Sequence, residues 1–348
     1  MKLTRRALLG YSASIAIASA FAGSALTGPA FAQAKSVTIA TSGGAFEEAL
    51  RAAFFTPYQE ANPSITLHFD TPDDPARLKA MVEAGNVTID MSTMGDYFGL
   101  DSDGEWLEEI DYSVIDATAL LPGRAMKYRV GLDIEQTILS YRTDKFPDGG
   151  PQTMADFFDV EKFPGMRTCW KNVSGGIIEA ALLADGVKRE DLYPLDIDRA
   201  FAKLDTIRDQ IIWYETGAQS QQLITSGEVS MGILWGSRAF PAMESAPVAV
   251  SWAEWFSAGS WFVIPKGSPN KAEAMKVIAF SVSEKPQIAL TSKLPYGPVN
   301  AAAAKNVDER YKGNLPTDHL ETQVAIDNEW WVKHQAEVDQ RFQEWLLQ

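Results

Sequence analysis

The segment from Met231 to Arg238 places an aromatic ring and a cation directly after an apolar run. Trp235 ends that run, and Arg238 follows it three residues later. An indole face attracts organic ammonium groups, whereas a guanidinium stays charged and its planar fork fits a carboxylate. The pair therefore predicts a site for a small ligand that carries a carboxylate. Packing in the core is the alternative for the tryptophan.

Two Ser-Gly-Gly turns, at residues 42–44 and 174–176, repeat one local design. Each follows a predicted strand and opens a predicted helix. Glycine lets the backbone approach a ligand closely, and the free N–H groups at a helix start favour an oxygen or an anion. We expect Ser42 and Ser174 to face each other across one cleft, with tight turns that bind nothing as the alternative. Neither turn carries a nucleotide-binding fingerprint.

Signatures of catalysis and of metal binding do not occur in the sequence. The three histidines are scattered, and there is no His-Glu-x-x-His, no Cys/His cluster and no Gly-x-Ser-x-Gly elbow. Cys169 is the only cysteine, so no intramolecular disulfide is possible, and it lies in a predicted strand. We expect no catalytic residue, no bound metal and no cofactor. An enzyme without a recognisable motif remains the alternative.

The N-terminus predicts export to the periplasm. Arg5-Arg6, a small-residue apolar run over 13–25 and Ala30-Phe31-Ala32 are typical of a twin-arginine signal peptide that is cleaved before Gln33. An N-terminal membrane anchor is disfavoured because the run is broken by serine and glycine and is shorter than a bilayer span.

Charge and length narrow the class of protein further. Losing Lys2, Arg5 and Arg6 with the signal peptide reduces the 31 basic residues to 28 against 46 acidic ones, a formal net charge of −18. A chain this acidic does not bind nucleic acid through its phosphates. The rest of the 348-residue chain exceeds the size that one hydrophobic core usually spans, so we expect two lobes.

Short apolar strands alternate with helical stretches, which is typical of α/β lobes with mostly parallel sheets flanked by helices. The predicted strands are 37–40, 65–69, 88–93, 167–170 and 227–235, and the predicted helices are 45–58 and 74–84. Residues 130–141 are predicted to cross to a second lobe, and 260–264 to return. We expect lobe 1 to comprise 33–133 and 256–303, and lobe 2 to comprise 134–255 and 304–348. Trp331, Gln335, Val338, Phe342 and Trp345 follow helical spacing and predict a C-terminal helix docked on lobe 2.

Four segments, 153–165, 226–235, 261–274 and 294–300, carry a resemblance by their order and spacing. From about Val37 to its end the chain resembles the periplasmic solute-binding proteins of the spermidine/putrescine class of ABC transporters. The resemblance implies the type II fold of two α/β lobes that close over a small-molecule solute. It also implies a protein that is not an enzyme and that delivers its solute to an inner-membrane ABC permease. We expect a monomer.

The resemblance also implies ligand contacts. The candidates that match the family are Ser42, Gly43, Phe46, Gly95, Asp96, Trp235 and Tyr296. The chain departs from the polyamine pattern where acids are replaced, at Gly175, Gly176, Arg238 and Ser260. A diamine would there lose its partners and meet a positive charge, which costs several kcal/mol in a buried site.

We therefore predict binding of an amino-carboxylate such as γ-aminobutyrate. Its carboxylate is expected on Arg238 and the glycine turns, and its ammonium on Asp96 or Glu254, with Trp235 stacked on it. The alternatives are a polyamine or other organic cation in another orientation, and a periplasmic scaffold or sensor partner. Other side chains could take the two charged roles, namely Arg124, Arg129, Arg142, Arg167 and Glu215.

Overall fold

Two β-sheets flanked by helices make up residues 35–348, the part of the chain that the computed structural model describes. The predicted signal peptide lies outside the described residues. The strands are β1 (Lys35–Ala40), β2 (Ile65–Asp70), β3 (Met91–Met94), β4 (Val130–Gly131), β5 (Glu135–Arg142), β6 (Arg167–Trp170), β7 (Ile211–Tyr214), β8 (Met231–Trp235), β9 (Val248–Ala258), β10 (Trp261–Val263) and β11 (Gln323–Val324). The α-helices are α1 (Gly44–Leu50), α2 (Thr56–Ala61), α3 (Pro75–Glu83), α4 (Met154–Phe158), α5 (Ile177–Ala184), α6 (Ile197–Asp205), α7 (Gly217–Ser226), α8 (Gly236–Ser245), α9 (Lys271–Ser281), α10 (Glu284–Thr291), α11 (Ala301–Lys305) and α12 (Asn328–Leu346).

The first sheet has the strand order β2-β1-β3-β10-β4. Strand β1 pairs in parallel with β2 and β3, as expected for strands connected by helices. β10 lies antiparallel to both β3 and β4. This pairing confirms that the chain returns to the first sheet at the predicted segment 260–264.

The second sheet has the order β11-β9-β5-β8-β6-β7. β6 pairs in parallel with β7 and β8, whereas β5 lies antiparallel to β8 and β9. Both sheets are therefore mixed. The helix-connected strands are parallel, and the strands through which the chain crosses between the sheets form the antiparallel pairs, although β9 also pairs in parallel with β11.

The second crossing begins later than the sequence indicated. β9 stays paired with β5 as far as Ala258, opposite Glu135, so residues 256–258 belong to the second sheet and not to the first. The continued ladder of hydrogen bonds holds these residues in place. The predicted change at 256 is thus wrong for the sheet by three residues, and the other lobe boundaries stay a prediction.

Local signals set the starts of several elements. Asp74 accepts hydrogen bonds from the first-turn amides of α3, and Thr153 forms a capping box with Asp156 at the start of α4. The predicted helix over 45–58 is confirmed, with a π-helical turn at Arg51–Phe55 between α1 and α2. The predicted strand over 227–235 is wrong in its first four residues, because Gly227 adopts φ +78° and ends α7.

The second sheet is buried on both faces. Ile138 and Trp255 lie in one apolar cluster, and Leu139 and Phe256 lie in the other. The second cluster includes the C-terminal helix α12, whose buried residues are Trp331, Val338, Phe342 and Trp345. The predicted stripe is therefore confirmed, apart from the partly exposed Gln335. No helix within residues 35–348 is both long enough and apolar enough to span a membrane.

Candidate ligand-binding site

Two neighbouring cavities lie where the first and second sheets meet. We call them the aromatic cavity, of about 350 Å³, and the arginine cavity, of about 370 Å³. The aromatic cavity is lined by Asp96, Tyr97, Glu135, Gln136, Thr137, Trp170, Ser174, Gly175, Gly176, Trp235, Phe256, Ser257, Ala258, Ile326 and Asn328. The arginine cavity is lined by Asp96, Leu121, Pro122, Gly123, Arg124, Met126, Arg129, Ile134, Ser257, Trp261, Leu320, Gln323, Ala325, Ile326 and Asn328. Four residues belong to both linings, so the cavities adjoin.

The rings of the aromatic cavity come from the ends of paired strands. Trp170 ends β6 and Trp235 ends β8, and these two strands are parallel, so both rings lie at one edge of the sheet. The rings of Trp170 and Trp235 meet edge to face, with centroids 5.1 Å apart. Across from them, the hydroxyl of Tyr97 donates to the carbonyl of Ser174 at 3.3 Å. The cavity thus has aromatic surfaces for an organic cation.

Asp96 is the acid that both cavities share. It lies just after β3, where its carboxylate accepts hydrogen bonds from the Gly259 amide at 3.0 Å and from Trp261 Nε1 at 2.8 Å. Burial raises the pKa of Asp96, while the bond from Trp261 and the charges of Arg124 and Arg129 lower it. Asp96 is therefore held in a fixed orientation beside both cavities.

Two further acids lie on the segment by which the chain first crosses between the sheets. Asp133 is fully buried and accepts from the Ser260 amide at 2.8 Å, while its second carboxylate oxygen has no hydrogen-bond partner among residues 35–348. Burial raises the pKa of Asp133 to about 7. Glu135 lines the aromatic cavity, and burial, Asp133 and Asp96 all raise its pKa.

Sequence reasoning overlooked both of these acids. Asp133 and Glu135 stand two residues apart and alternate with the buried Leu132 and Ile134, within the segment predicted to cross between lobes. Acids at alternate positions of an otherwise apolar crossing segment are a signal that could have identified them.

Two buried arginines, Arg124 and Arg129, line the arginine cavity. Arg129 donates to the carbonyl of Phe98 at 3.0 Å, and its guanidinium carbon lies 3.9 Å from the centroid of the Trp261 ring. Arg124 lies 5.2 Å from the same centroid and donates to Ser257 Oγ at 3.2 Å. Burial lowers the pKa of both arginines, that of Arg129 to about 10, so both stay charged at neutral pH.

The structure brings together four of the twelve predicted contacts. Asp96, Gly175, Gly176 and Trp235 all line the aromatic cavity. Eight others line neither cavity: Ser42, Gly43, Phe46, Gly95, Arg238, Glu254, Ser260 and Tyr296. Ser174 meets Tyr97 across the aromatic cavity, and Ser42 is exposed after β1.

Several of these eight residues have identifiable structural contacts. Glu254 accepts the Met154 amide at 2.6 Å and so caps α4, which makes its carboxylate a helix cap and not a cavity residue. Arg238 lies on α8, where an added Cβ on Gly217 would be 2.5 Å from its Nε. That Nε is buried and has no hydrogen-bond partner among residues 35–348. Tyr296 lies beside Glu135, next to the aromatic cavity.

The alternative charged residues divide in the same way. Arg142 is paired with Asp144 at 2.7 Å, and the fully buried Arg167 donates to backbone carbonyls, including that of Phe157 at 2.7 Å. Glu215 is exposed and paired with Lys171 at 2.9 Å. These three residues stabilise the fold. Only Arg124 and Arg129, of the alternatives considered, line either of the two cavities.

The other chemically distinctive residues of the sequence lie apart from the aromatic cavity. Trp255 is fully buried in the core, and Trp252 stacks on His319 with ring centroids 4.3 Å apart. Cys169 is buried in β6, and burial raises the pKa of its thiol. A thiol in this environment is not a nucleophile at neutral pH.

Similarity to known proteins agrees with this geometry. A family model described as bacterial extracellular solute-binding protein matches residues 53–317. The chain belongs to this family. The gamma-aminobutyric acid-binding protein of Pseudomonas aeruginosa is 34% identical to it over 333 residues, which cover 93% of this chain and 94% of that protein.

Solved structures extend the comparison to the fold. The structure of the Atu4243-GABA receptor is similar with a TM-score of 0.82 and 39% identity, and the match covers 90% of this chain and 98% of that one. An ABC transporter substrate-binding protein from Bradyrhizobium japonicum USDA 110 matches with a TM-score of 0.80 and 30% identity, over 90% and 99% of the two chains. These likenesses confirm the predicted two-lobe, type II fold for this solute-binding protein.

The turn at Gly176 is needed to form the aromatic cavity of this solute-binding protein. Gly176 has φ +87°, and a Cβ there would lie 2.6 Å from a ring carbon of Phe256. Gly176→Ala is expected to lower the free energy of unfolding by about 2–5 kcal/mol, because it adds backbone strain to steric overlap. Urea denaturation of the purified protein measures the loss.

Gly186→Ala is the matched control for that substitution. Gly186 has φ +85°, but a Cβ there would meet no atom within 4 Å. It should therefore show the backbone cost alone, about 1–2 kcal/mol. Equal losses in the two variants would contradict the predicted overlap with Phe256.

Proposed function

We propose that this protein binds a small amino-carboxylate of the γ-aminobutyrate type. The observation that carries the proposal is the aromatic cavity, where acids and indole rings from both sheets surround one space. Asp96 and Glu135 supply negative charge, and Trp170 and Trp235 supply ring faces. An organic ammonium group is stabilised by both kinds of contact.

The arginines beside this cavity favour a ligand that also carries an anionic group. Arg124 and Arg129 line the adjoining cavity, and Arg238 lies one turn beyond Trp235 on α8. A ligand with only ammonium groups would lie beside these permanent charges and be repelled. The names of two relatives, one a gamma-aminobutyric acid-binding protein and one a GABA receptor, support the same class of ligand.

A polyamine or another organic cation is the second candidate ligand. The observation that favours it is the number of acids near the cavities, since Asp96, Asp133 and Glu135 could together balance two ammonium groups. Two of these acids, Asp96 and Asp133, also lie close to Arg124, which offsets part of their charge. We therefore rank an amino-carboxylate ahead of a diamine.

We further propose that the protein serves an ABC importer as a monomer without enzymatic activity. Its two-sheet architecture and its family support delivery of the bound solute to a permease in the inner membrane. The acidic net charge supports solubility and leaves no basic surface for nucleic acid.

Export by the twin-arginine route is the corresponding proposal for location. It rests on Arg5-Arg6 and on the cleavage signal Ala30-Phe31-Ala32. N-terminal sequencing of protein from the periplasmic fraction should show a chain that begins at Gln33. Replacing both arginines by lysine should retain the precursor in the cytoplasm, and undiminished export would point to the general secretory route.

Titration calorimetry on the mature protein tests the proposed ligand class. γ-Aminobutyrate and its longer and shorter ω-amino acids should bind, whereas putrescine should bind at least about thirtyfold more weakly, as expected for an unpaired charge in a buried site. A thermal-shift screen over amino acids, polyamines, quaternary amines and sugars extends the test, because a ligand at 100 times its Kd stabilises a protein by about 2.7 kcal/mol. Tight binding of putrescine with no binding of amino acids would overturn the proposal.

A further inference from the structure

The arginine cavity contains a buried cation that has no acidic partner. Arg124 is 8% exposed and lines this cavity. Its one side-chain hydrogen bond goes to Ser257 Oγ at 3.2 Å, and no carboxylate oxygen of residues 35–348 lies within 4.0 Å of its nitrogens. A guanidinium has five N–H groups to satisfy, so most donors of Arg124 have no hydrogen-bond partner among residues 35–348.

The other buried arginines of the described chain each donate to at least two backbone carbonyls. Arg167 donates to four, and Arg142 pairs with Asp144 and also donates to two carbonyls. Arg129 donates to the carbonyls of Asp96 and Phe98, although its Nε has no hydrogen-bond partner among residues 35–348. Arg124 differs from them in having a single hydroxyl as the acceptor for its whole guanidinium.

The surroundings of Arg124 favour an incoming anion. Burial lowers the pKa of Arg124, and the negative charges of Asp96 and Asp133 only partly offset this effect. Arg129 adds a second positive charge near the same Trp261 ring. A carboxylate in the cavity would supply the charge and the acceptor atoms that Arg124 lacks, through two parallel N–H···O bonds.

We propose that Arg124 binds the carboxylate of the ligand, so that the ligand spans both cavities with its ammonium group held by Asp96 in the aromatic one. The proposal rests on the proposed function and assigns the anionic end of that site. Asp96 and Ser257 line both cavities, so a ligand beside these two residues can extend into both cavities. Ser257 Oγ accepts a hydrogen bond from Arg124, and its own hydroxyl proton could be donated to the same carboxylate.

Arg238 is the competing candidate for this role. Its Nε lies close to Gly217 and its charge acts on Tyr296 beside the aromatic cavity, but Arg238 lines neither cavity. The structure thus favours Arg124 on position, whereas the sequence pattern after Trp235 favours Arg238. The two residues can be separated by experiment.

The test compares two ligands that differ only in the anionic group. γ-Aminobutyrate and its neutral amide, γ-aminobutyramide, are titrated into the wild-type protein and into the variants Arg124→Gln and Arg238→Gln. Wild-type protein should prefer the acid by about thirtyfold or more, the loss expected when one partner of a buried charge pair is missing. Arg124→Gln should reduce this preference to within about threefold, and Arg238→Gln should keep it.

The ratio of the Kd values for the amide and the acid separates a binding role from a structural one, because a general loss of structure would weaken the binding of both ligands equally. Arg124→Lys keeps the charge but not the planar fork, so it should retain part of the preference if Arg124→Gln folds poorly. An unchanged preference in Arg124→Gln and in Arg124→Lys overturns the inference while the proposed function stands. If wild-type protein binds no amino-carboxylate, the proposed function fails and the inference fails with it.

Discussion

Asp96→Asn should nearly abolish binding of an amino-carboxylate. The substitution keeps the size of the side chain but removes the charge beside both cavities, and it sets an amide N–H₂ against the N–H donor of either Gly259 or Trp261. Losing one partner of a buried charge pair costs about 2–5 kcal/mol, so the Kd should rise by about thirtyfold to several thousandfold. Calorimetry with γ-aminobutyrate measures the change.

Asp90→Asn provides a matched control for that substitution. Asp90 is buried at the opposite end of β3, where it accepts from the amide of Thr38 at 2.8 Å, and it lines neither cavity. Its replacement should lower stability without changing the Kd by more than about twofold. If both variants weaken ligand binding equally, the rise in Kd comes from a disturbance of β3 as a whole, and Asp96 does not contact the ligand directly.

Asp133→Asn should reduce the loss of stability that the unliganded protein shows as the pH rises from 5 to 8. Burial raises the pKa of Asp133 to about 7, whereas an aspartate in the unfolded chain has a pKa near 4. The folded protein therefore holds a proton that the unfolded chain releases. This contribution is complete below about pH 4 and is lost as the pH rises through 7, on the order of 3 kcal/mol between pH 5 and 8.

Urea unfolding at pH 5 and pH 8 measures this effect in both proteins. Burial also raises the pKa of Glu135 and of Asp96, so the variant should keep a decrease of the same sign. The difference between the two decreases measures Asp133 together with its effect on Glu135. Parallel pH dependence in wild-type and variant protein would show that Asp133 is ionised throughout this range.

The two predictions describe one electrostatic arrangement. Asp96, Asp133 and Glu135 lie close to one another, Asp96 and Asp133 also lie close to Arg124, and burial disfavours the ionised form of each of these groups in the empty site. Buried charge without a partner lowers stability. A zwitterion that pairs its ammonium group with Asp96 and its carboxylate with Arg124 would supply the partners that both side chains lack in the empty site. Ligand binding would then recover the stability that the empty site loses.

The sequence by itself determined the elements and their order, because these depend on local patterns. Apolar runs predicted β1, β2 and β6, and the helical pattern over 74–84 predicted α3. The order of motifs along the chain indicated the family, and the return of the chain at 260–264 indicated two lobes. Aromatic and glycine residues at strand ends, such as Trp235 and Gly176, could be assigned to a site because strand ends are where ligands bind in such sheets.

Only the tertiary structure decided which charged side chains surround the ligand. Arg124 and Asp133 lie in irregular segments, where no periodicity tells which way a side chain points. Their burial arises from packing between the two sheets, which brings Arg124 to Ser257 across 133 residues of sequence and Asp133 to Ser260 across 127. Glu254 looked like a ligand contact in the sequence, yet the register of β9 directs it to the start of α4. Long-range packing sets these contacts, and local sequence patterns carry no record of it.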